Sequence, residues 1–545
     1  MGEMQAERTA DYFDYLAERF PVMCASDEFV FLPRAQAAAR HYDKIDDLDA
    51  AAIGECLAYL KAFQTDFDRL AATSMDLETR IDLELLKANA AGILIEFEEN
   101  RSWRHNPLLY LKIAFIGLDH ALTKPTSEPR ELIARTSARL QSIPRLLQQA
   151  KVNIESVPKS YHQAASAMLA DCKSYLDEIS KDTAGWESQH VTKELQQVES
   201  ALEAFGKLLT ALSPLPDERF FVAGVEKNLR EHLLCARSLP EIFQIAVEEW
   251  RENLEQIKKL QASIHPKKSW EHLYHAYSPQ DIEDLDTFSL YGREIERLSF
   301  FFREQGFGDV IRLSPLVLRE TPTYLRSVRS SASFSAASGA HSGEPDTFYL
   351  TTRLPGHRGK RAEDRLGKRL HREYKFLTAH ETIPGHQLLD GVRRNLKNPV
   401  RRQMESPLFY EGWAYYAESL LAEYGYVEEP IELLVDCKRR LWRAARCQVD
   451  VGLMTGMIAL EDAIGLLTAA GFSREEAGNQ VSRFRLNPGY QLCYSLGRYE
   501  IMELRKAFVP RLGRDRFHKQ LLEGGELPFH LAAKRLRALD SSKLT

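Results

Sequence analysis

The sequence lacks long apolar runs, a basic leader and paired cysteines, and each absence argues against a class of protein. No stretch approaches the roughly 18 uninterrupted apolar residues of a membrane-spanning helix, so no membrane association is expected. The opening MGEMQAERTADYFDYLAERF has no basic segment followed by an apolar run, which predicts no signal peptide. The seven cysteines are scattered without C-x-x-C spacing, which argues against a thiolate zinc site and favours a reducing cytoplasm.

An excess of positive charge is missing as well. The chain has 72 Lys and Arg against 78 Asp and Glu, and its formal net charge is −6. A nucleic-acid partner is therefore not expected, because no basic excess exists to neutralise phosphates. The remaining composition, 44% hydrophobic and 28% charged, is typical of a soluble globular protein. Nothing in it indicates an oligomeric state.

What the chain does contain is a succession of helical patterns. Apolar residues recur at spacings of three and four between charged ones. This pattern is clearest in four segments: 46–70, 76–98, 129–152 and 191–212. At 545 residues, more than one domain is expected. A break rich in proline at 212–220 therefore predicts two regions, an N-terminal helical region 1–215 and a catalytic region 216–545 with a helical C-terminus.

One segment departs from the helical pattern. Residues 329–353 are rich in Ser, Ala and Gly, with short alternating stretches at 332–336 and 347–352. They predict two strands joined by a loop, although a flexible linker between domains has a similar composition. An edge strand here would hold an extended peptide substrate through main-chain hydrogen bonds, along residues 347–352. The expected fold is therefore mainly α, with one small hairpin or sheet beside an active-site cleft.

The most informative motif is HETIPGH at residues 380–386. Two imidazoles at short spacing are typical zinc ligands, and an adjacent glutamate such as Glu381 can act on water. On a straight helix, however, His380 and His386 would point about 240° apart. Pro384 removes a helix hydrogen bond and Gly385 frees the backbone, which predicts a break that turns both histidines toward one site. The alternative is a helix end carrying two ordinary surface histidines.

A third ligand is expected from the helical segment 406–426. Glu411 and Glu418 share one helix face, and Glu411 follows His386 by 25 residues, enough for a second helix to fold back. Two histidines and a glutamate leave a position for water, which is typical of a catalytic zinc site. Glu411 is the predicted ligand, Glu418 is the alternative, and a surface glutamate pair is the other interpretation. Asp390 or Glu418 would orient a ligand imidazole.

A third block, at 485–505, joins a Pro-Gly turn to another helical pattern. Tyr490, Tyr494 and Arg498 recur at a spacing of four, so they share one face. A phenol and a guanidinium are suitable donors to the oxyanion formed when water adds to a carbonyl. A packed aromatic side chain with a structural ion pair would give the same pattern. Pro355-Gly356-His357 is a further loop that could approach the site.

Together, HETIPGH, YEGWAYYAE and PGYQLCYSLG resemble a bacterial family called domain of unknown function 885, grouped with gluzincin-type zinc metallopeptidases. The resemblance implies a predominantly helical zincin-like fold, with zinc bound by His380, His386 and Glu411. It also implies that Glu381 is the general base and that Tyr494 stabilises the oxyanion. The chain departs from the family pattern at Met454, where relatives tend to have a histidine after Asp-x-Gly-x. This departure leaves the substrate class and the activity open.

The sequence thus predicts a cytoplasmic zinc metallopeptidase with one zinc per chain that cleaves short peptides. In this hypothesis Glu381, Tyr494 and Arg498 are the catalytic residues. Two other functions stay open. A zinc amidohydrolase acting on a non-peptide amide would use the same residues, and a non-catalytic helical binding protein would keep only a vestigial metal site.

Overall fold

The chain is described from a computed structural model, which confirms a mainly α fold with one small sheet. It describes residues 3–74, 76–186, 189–217, 222–279, 285–310, 314–339, 343–354 and 359–541. The helices of the first part of the chain are α1 Glu3–Arg19, α2 Ala50–Thr73, α3 Leu77–Leu94, α4 Ser102–His105, α5 Pro107–Thr123, α6 Pro129–Asn153, α7 Lys159–Asp182, α8 Gln189–Ala211 and α9 Val222–Lys227. Within the described ranges, none of the helices combines the length and the apolar character needed to span a bilayer.

The second part of the chain contains the sheet and the remaining helices. Its helices are α10 Leu239–Ile264, α11 Trp270–Ala276, α12 Thr287–Phe302, α13 Lys360–Glu381, α14 His386–Arg394, α15 Pro407–Glu423, α16 Pro430–Thr455, α17 Leu460–Ala469, α18 Arg474–Phe484, α19 Leu492–Leu512, α20 Arg514–Leu522 and α21 Phe529–Ser541. The strands are β1 Leu316–Glu320, β2 Ala332–Ser335 and β3 Asp346–Leu350. All four segments with the clearest helical periodicity form helices, which confirms their prediction.

The first compact unit comprises Met1–His232 together with Glu320–Ser331 and Ser335–Pro345. Helix α5 lies at its centre and is apolar on nearly every face, which is expected of a helix buried on all sides. Asn106 begins this helix by accepting the Leu108 N–H, and Pro107 occupies the first turn. Helices α6 and α7 pack against α5, and α8 packs against both of them.

This first unit extends beyond the predicted division at residue 215. After the break at 212–220, helix α9 packs on residues 95–99 and the following residues 228–232 pack on α3. The His232 ring contacts the Ala88 carbonyl at 3.0 Å, and it fills the space beside Gly92 where a Cβ would lie 2.4 Å from Nδ1. A proline-rich break marks the end of a helix, but this contact keeps the following helix in the same unit.

The second unit comprises Leu233–Arg319, Ala332–Phe334 and Asp346–Thr545. Helix α15 is buried along most of its length and packs against α13, α14, α16 and α19. Gly412 of α15 meets Gly497 of α19 so closely that a Cβ on Gly497 would lie 2.2 Å from the Leu408 carbonyl oxygen. Two glycines therefore permit this close helix contact, because any side chain would collide with backbone atoms.

The small sheet has the strand order β1-β3-β2. The two strands predicted at 332–336 and 347–352 are present as neighbours, and the loop residues 340–342 lie outside the described part of the chain. Strand β1 was not predicted from the sequence. Its pairing places β3 in the middle of the sheet, so the expectation that 347–352 form an edge strand open to a peptide is wrong.

Candidate metal centre

The HETIPGH motif forms a break between two helices, as predicted. Helix α13 ends at Glu381, and α14 begins at His386 after a turn that contains a cis Ile383–Pro384 peptide bond. The Gly385 N–H donates to the Ala379 carbonyl at 2.9 Å, and a Cβ on Gly385 would lie 2.0 Å from the His380 carbonyl oxygen. Glycine is therefore required where the chain reverses toward α13.

This turn is also fixed from outside the motif. The indole N–H of Trp413 donates to the Pro384 carbonyl oxygen at 3.0 Å, and the tryptophan is fully buried on α15. A buried carbonyl in a non-helical turn needs such a donor, since its helical partner is missing. The helix that supplies Glu411 thus also holds the turn that places His386.

The two histidines and Glu411 converge on one buried point. Their relative exposures are 5% for His380, 4% for His386 and 5% for Glu411. Glu411 Oε2 lies 3.4 Å from His380 Nε2 and 3.7 Å from His386 Nε2, and the three candidate ligand atoms all lie within 4.8 Å of one another. The structure therefore brings together the three residues that the sequence analysis expected to bind metal.

The chemistry of this set fits a divalent metal such as zinc. Glu411 Oε2 is a buried oxygen without a hydrogen-bond partner among the described residues, and both Nε2 atoms lie beside it. Two imidazole nitrogens and one carboxylate oxygen are a usual ligand set for zinc in catalytic sites. Burial would raise the pKa of Glu411, but the two histidines outweigh it and hold that pKa well below its usual range.

Glu418 lies on the other side of His380, where it orients the ring instead of joining the ligand set. His380 Nδ1 is 2.8 Å from Glu418 Oε1, and Arg439 donates to both oxygens of Glu418 at 3.1 Å. Arg443 pairs with the same carboxylate. Although burial would raise the pKa of Glu418, these two guanidinium groups hold it well below its usual range. Glu418 is thus the partner that fixes the tautomer of His380.

The charged neighbours of His380 shift the pKa of its imidazole. Burial lowers the pKa of the imidazole, but the adjacent carboxylates of Glu411 and Glu418 outweigh it and raise the pKa to about 8. The charge of Glu381, the next residue in the sequence, acts in the same direction. The predicted general base is buried at the end of α13.

His386 is held by an aromatic ring instead of a carboxylate. The Tyr410 ring stacks on the imidazole with centroids 3.9 Å apart and an interplanar angle of 16°. The Tyr410 hydroxyl donates to Asp390 Oδ2 at 3.0 Å. Within the described part of the chain, His386 Nδ1 has no hydrogen-bond partner. Asp390, which was predicted as an alternative to Glu418 for orienting a ligand imidazole, thus accepts from the tyrosine that stacks on His386.

Two tyrosines hold the remaining oxygen of Glu411. The hydroxyls of Tyr490 and Tyr494 donate to Glu411 Oε1 at 2.6 and 2.8 Å. Burial and the Glu411 charge raise the pKa of both hydroxyls, so both remain protonated donors. Arg498 is not brought to this point. It lies one turn further along α19, where Nη1 is 3.8 Å from Glu249 Oε1.

Helix α16 supplies residues that the sequence analysis missed. Arg439, Arg443, Arg446 and Asp450 recur at spacings of four and three, which places them on one face of the helix. Asp450 accepts the N–H groups of Gly489, Gln491 and Leu492 at 3.1, 2.8 and 3.3 Å, and so fixes the turn before Tyr490 and Tyr494. The periodicity of charged residues on an otherwise buried helix was the available signal.

Two other positions singled out in the sequence are Met454 and His357. Met454, where relatives tend to have histidine, is partly buried in the last turn of α16, one turn beyond Asp450. His357 lies outside the described residues. Met454 is not part of the cluster formed by His380, His386 and Glu411.

Comparison with known proteins agrees with the helical architecture. The profile of a family described as "Bacterial protein of unknown function (DUF885)" matches residues 33–536. A solved structure of a "putative lipoprotein of unknown function" from Shewanella oneidensis is 21% identical, with a TM-score of 0.75, and the match covers 97% of this chain and 99% of that chain. A "putative lipoprotein" from Colwellia psychrerythraea is 18% identical, with a TM-score of 0.75 and 99% of each chain covered. No curated protein matches the chain.

Proposed function

The chain belongs to the DUF885 family of bacterial proteins, and from the geometry of its site we propose that it is a zinc-dependent hydrolase that cleaves peptide bonds. The observation that carries this proposal is the convergence of two imidazole Nε2 atoms on the unpartnered Oε2 of Glu411. The buried Glu381 directly follows His380 in the sequence. A gluzincin-like zinc peptidase needs this combination of ligands and adjacent carboxylate. The cytoplasmic location is part of the same proposal.

His380, His386 and Glu411 would hold the metal. Zinc bound by such a set lowers the pKa of water and polarises a carbonyl group, which is the chemistry that amide hydrolysis requires. Glu418 keeps the Nδ1 proton of His380 in place, so that Nε2 faces the ligand position. The stacked Tyr410 ring holds the plane of His386.

The other residues of the site supply proton transfer and charge stabilisation. Glu381 accepts the proton that the attacking water loses and passes it to the nitrogen of the leaving amine. The hydroxyl of Tyr494 donates to the oxyanion that forms on the former carbonyl oxygen. Tyr490 continues to donate to Glu411 Oε1, so the carboxylate keeps its orientation when Tyr494 turns to the substrate.

Substitution of Glu381 tests the proposal. A screen of short peptides identifies a substrate, and Glu381→Gln is then compared with the wild type for hydrolysis and zinc content. Glu381→Gln should bind zinc at the same stoichiometry and lose at least about 100-fold in kcat, since general-base catalysis supplies factors of that order. Full hydrolysis by Glu381→Gln would exclude the proposed base. Parallel screening of non-peptide amides distinguishes a peptidase from an amidohydrolase acting through the same residues.

A further inference from the structure

Arg446 differs from the other arginines around the candidate metal centre. Arg439 and Arg443 share the carboxylate of Glu418, and Arg498 lies beside Glu249. The partner of Arg446 is the neutral side chain of Gln491, whose Oε1 accepts from Nε at 2.8 Å and also from Nη2. Arg446 therefore carries a positive charge without a carboxylate partner at ion-pair distance in the described part of the chain.

The guanidinium of Arg446 lies next to the centre. Its Cζ atom is 4.1 Å from the centroid of the Tyr494 ring, whose hydroxyl donates to Glu411. The Tyr494 ring centroid is in turn 6.3 Å from that of His380. The guanidinium is thus within about 10 Å of the His380 ring, a distance that includes its contact with a carboxylate at one end and the metal position at the other.

Aromatic rings hold the guanidinium in one orientation. Besides Tyr494, the Trp442 ring centroid is 5.0 Å from Cζ and that of Phe484 is 5.5 Å away. Gln491 occupies the edge formed by Nε and Nη2. The other edge, formed by Nη1 and Nη2, is the one with which a guanidinium binds a carboxylate through two parallel hydrogen bonds.

Asp450, four residues further along α16, is occupied by donors other than Arg446. Asp450 interacts electrostatically with Arg446, but its carboxylate accepts three backbone N–H groups of residues 489–492. Arg446 is only 8% exposed. A charge removed from water without a paired counter-ion is unfavourable, so an anionic group from outside the chain would complete this site.

We propose that Arg446 binds the C-terminal carboxylate of the substrate, which makes the protein a carboxypeptidase acting on short peptides. This inference rests on the proposed hydrolase function and adds which end of the peptide is recognised. The bond that breaks is the last peptide bond of the substrate, which precedes the residue with the free carboxylate. Water adds its oxygen to the acyl carbon, its proton goes to the leaving amine, and a C-terminal amino acid is released. The aromatic rings and Gln491 are positioning residues for the guanidinium.

The experiment compares matched random tetrapeptide libraries, one with a free C-terminal carboxylate and one with a C-terminal amide. Both are given to the wild type, Arg446→Gln, Arg446→Lys and a control, Arg440→Gln, whose arginine lies on the same helix but pairs with Asp436. Mass spectrometry identifies the bonds cleaved, and circular dichroism verifies that each variant is folded. Calorimetry measures binding of tetra-alanine and its amide to Glu381→Gln with and without Arg446→Gln.

The wild type and Arg440→Gln should cleave the free acids faster than the amides by about 10- to 100-fold in kcat/KM, the factor that a charge-assisted hydrogen bond supplies. Arg446→Gln should lose this preference, with its kcat/KM on the free acids falling to about that on the amides, and Arg446→Lys should keep part of it. Equal cleavage of acids and amides by the wild type, or an unchanged preference in Arg446→Gln, would overturn the assignment.

The calorimetric binding measurements distinguish a failure of the carboxylate-site assignment from a failure of the proposed hydrolase function. If neither library is cleaved but the free acid binds more tightly than the amide in an Arg446-dependent manner, the carboxylate site stands and the hydrolase proposal fails. If the acid and the amide bind equally, or if neither binds, the assignment of Arg446 is overturned.

Discussion

His380 and Glu418 form a buried pair in which Nδ1 of the imidazole lies 2.8 Å from Oε1 of the carboxylate. Nε2, on the opposite edge of the ring, lies beside Glu411 Oε2 at 3.4 Å. Glu418 therefore orients the ring, and Glu411 lies with Nε2 at the proposed metal position. Arg439 and Arg443 keep Glu418 ionised, so it stays an acceptor for the Nδ1 proton.

Replacing Glu418 with glutamine should weaken zinc binding without abolishing it. The amide is a poorer acceptor and leaves two guanidinium groups unbalanced, so we expect zinc affinity to fall by about 10- to 100-fold. Zinc titration by competition with a chromogenic chelator measures this change. Glu423→Gln is the matched control, because Glu423 lies on the same helix and also pairs with two arginines, Arg505 and Arg514. Equal zinc affinity in the wild type and Glu418→Gln would contradict the orienting role.

The two tyrosines on Glu411 Oε1 should behave differently in kinetics. Tyr494→Phe removes the proposed donor to the oxyanion, so kcat should fall by about 10² to 10³ with little change in KM. Tyr490→Phe removes only a hydrogen bond to the metal-ligand candidate, so its main effect should be a lower zinc affinity. Steady-state kinetics at saturating zinc separates the two effects. A larger loss of kcat in Tyr490→Phe than in Tyr494→Phe would reverse the assignment.

The contact between α15 and α19 should tolerate no side chain at Gly497. In Gly497→Ala the new Cβ would lie 2.2 Å from the Leu408 carbonyl oxygen and 2.6 Å from Gly412 Cα, and backbone atoms cannot move aside as a side chain can. We expect a loss of about 3 kcal/mol or more in the free energy of unfolding, measured by denaturant titration.

Gly478→Ala is the control for this prediction. Gly478 lies inside α18 with no heavy atom within 4 Å of the position that a Cβ would take. Alanine is favoured over glycine in a helix, so this substitution should be neutral or stabilise by about 0.5 to 1 kcal/mol. Similar losses in the two variants would show that the close approach of Gly412 and Gly497 does not limit packing.

Acid should destabilise the protein through His518, which contacts Tyr416 of α15. Burial, followed by the charge of Arg505, lowers the pKa of His518 to about 3, and Nε2 lies 2.7 Å from the Tyr416 hydroxyl. Because the folded-state pKa is below the unfolded value, this stabilisation is complete above about pH 6.5 and is lost as the pH falls toward 3. Between pH 7 and pH 5 the loss is about 2 kcal/mol.

His518→Gln removes this titration and keeps a side-chain amide that can form a hydrogen bond with Tyr416. The midpoint of thermal unfolding should therefore fall less between pH 7 and pH 5 in His518→Gln than in the wild type. Circular dichroism at the two pH values measures the difference. An identical fall in both proteins would contradict the assigned pKa.

The helices and the ligand residues could be predicted because their signals are local in the sequence. Helical periodicity identified the helices, and the Pro-Gly pair in HETIPGH predicted the break that turns His386 toward His380. The sequence only partly predicted which glutamate of α15 is the ligand candidate and which one orients His380. Glu411 and Glu418 share a face, but whether each meets Nε2 or Nδ1 of His380 depends on the rotation of α15 against α13.

The features that could not be predicted depend on contacts between distant segments. Strand β1 made β3 a central strand, although the local pattern of β3 suited an edge. Arg498 was placed with Tyr494 by its spacing, yet Glu249 of α10 pairs with it. The charged face of α16 was periodic in the sequence, but its connection to the site arises from packing against α19.

The most direct test of the central claim is the zinc content of the purified protein by elemental analysis, beside His380→Ala and Glu411→Ala. The triad of His380, His386 and Glu411 predicts about one zinc per chain in the wild type and loss of most of it in both variants. Failure of the wild type to bind zinc after incubation with excess metal, or an unchanged zinc content in Glu411→Ala, would contradict the proposed metal site.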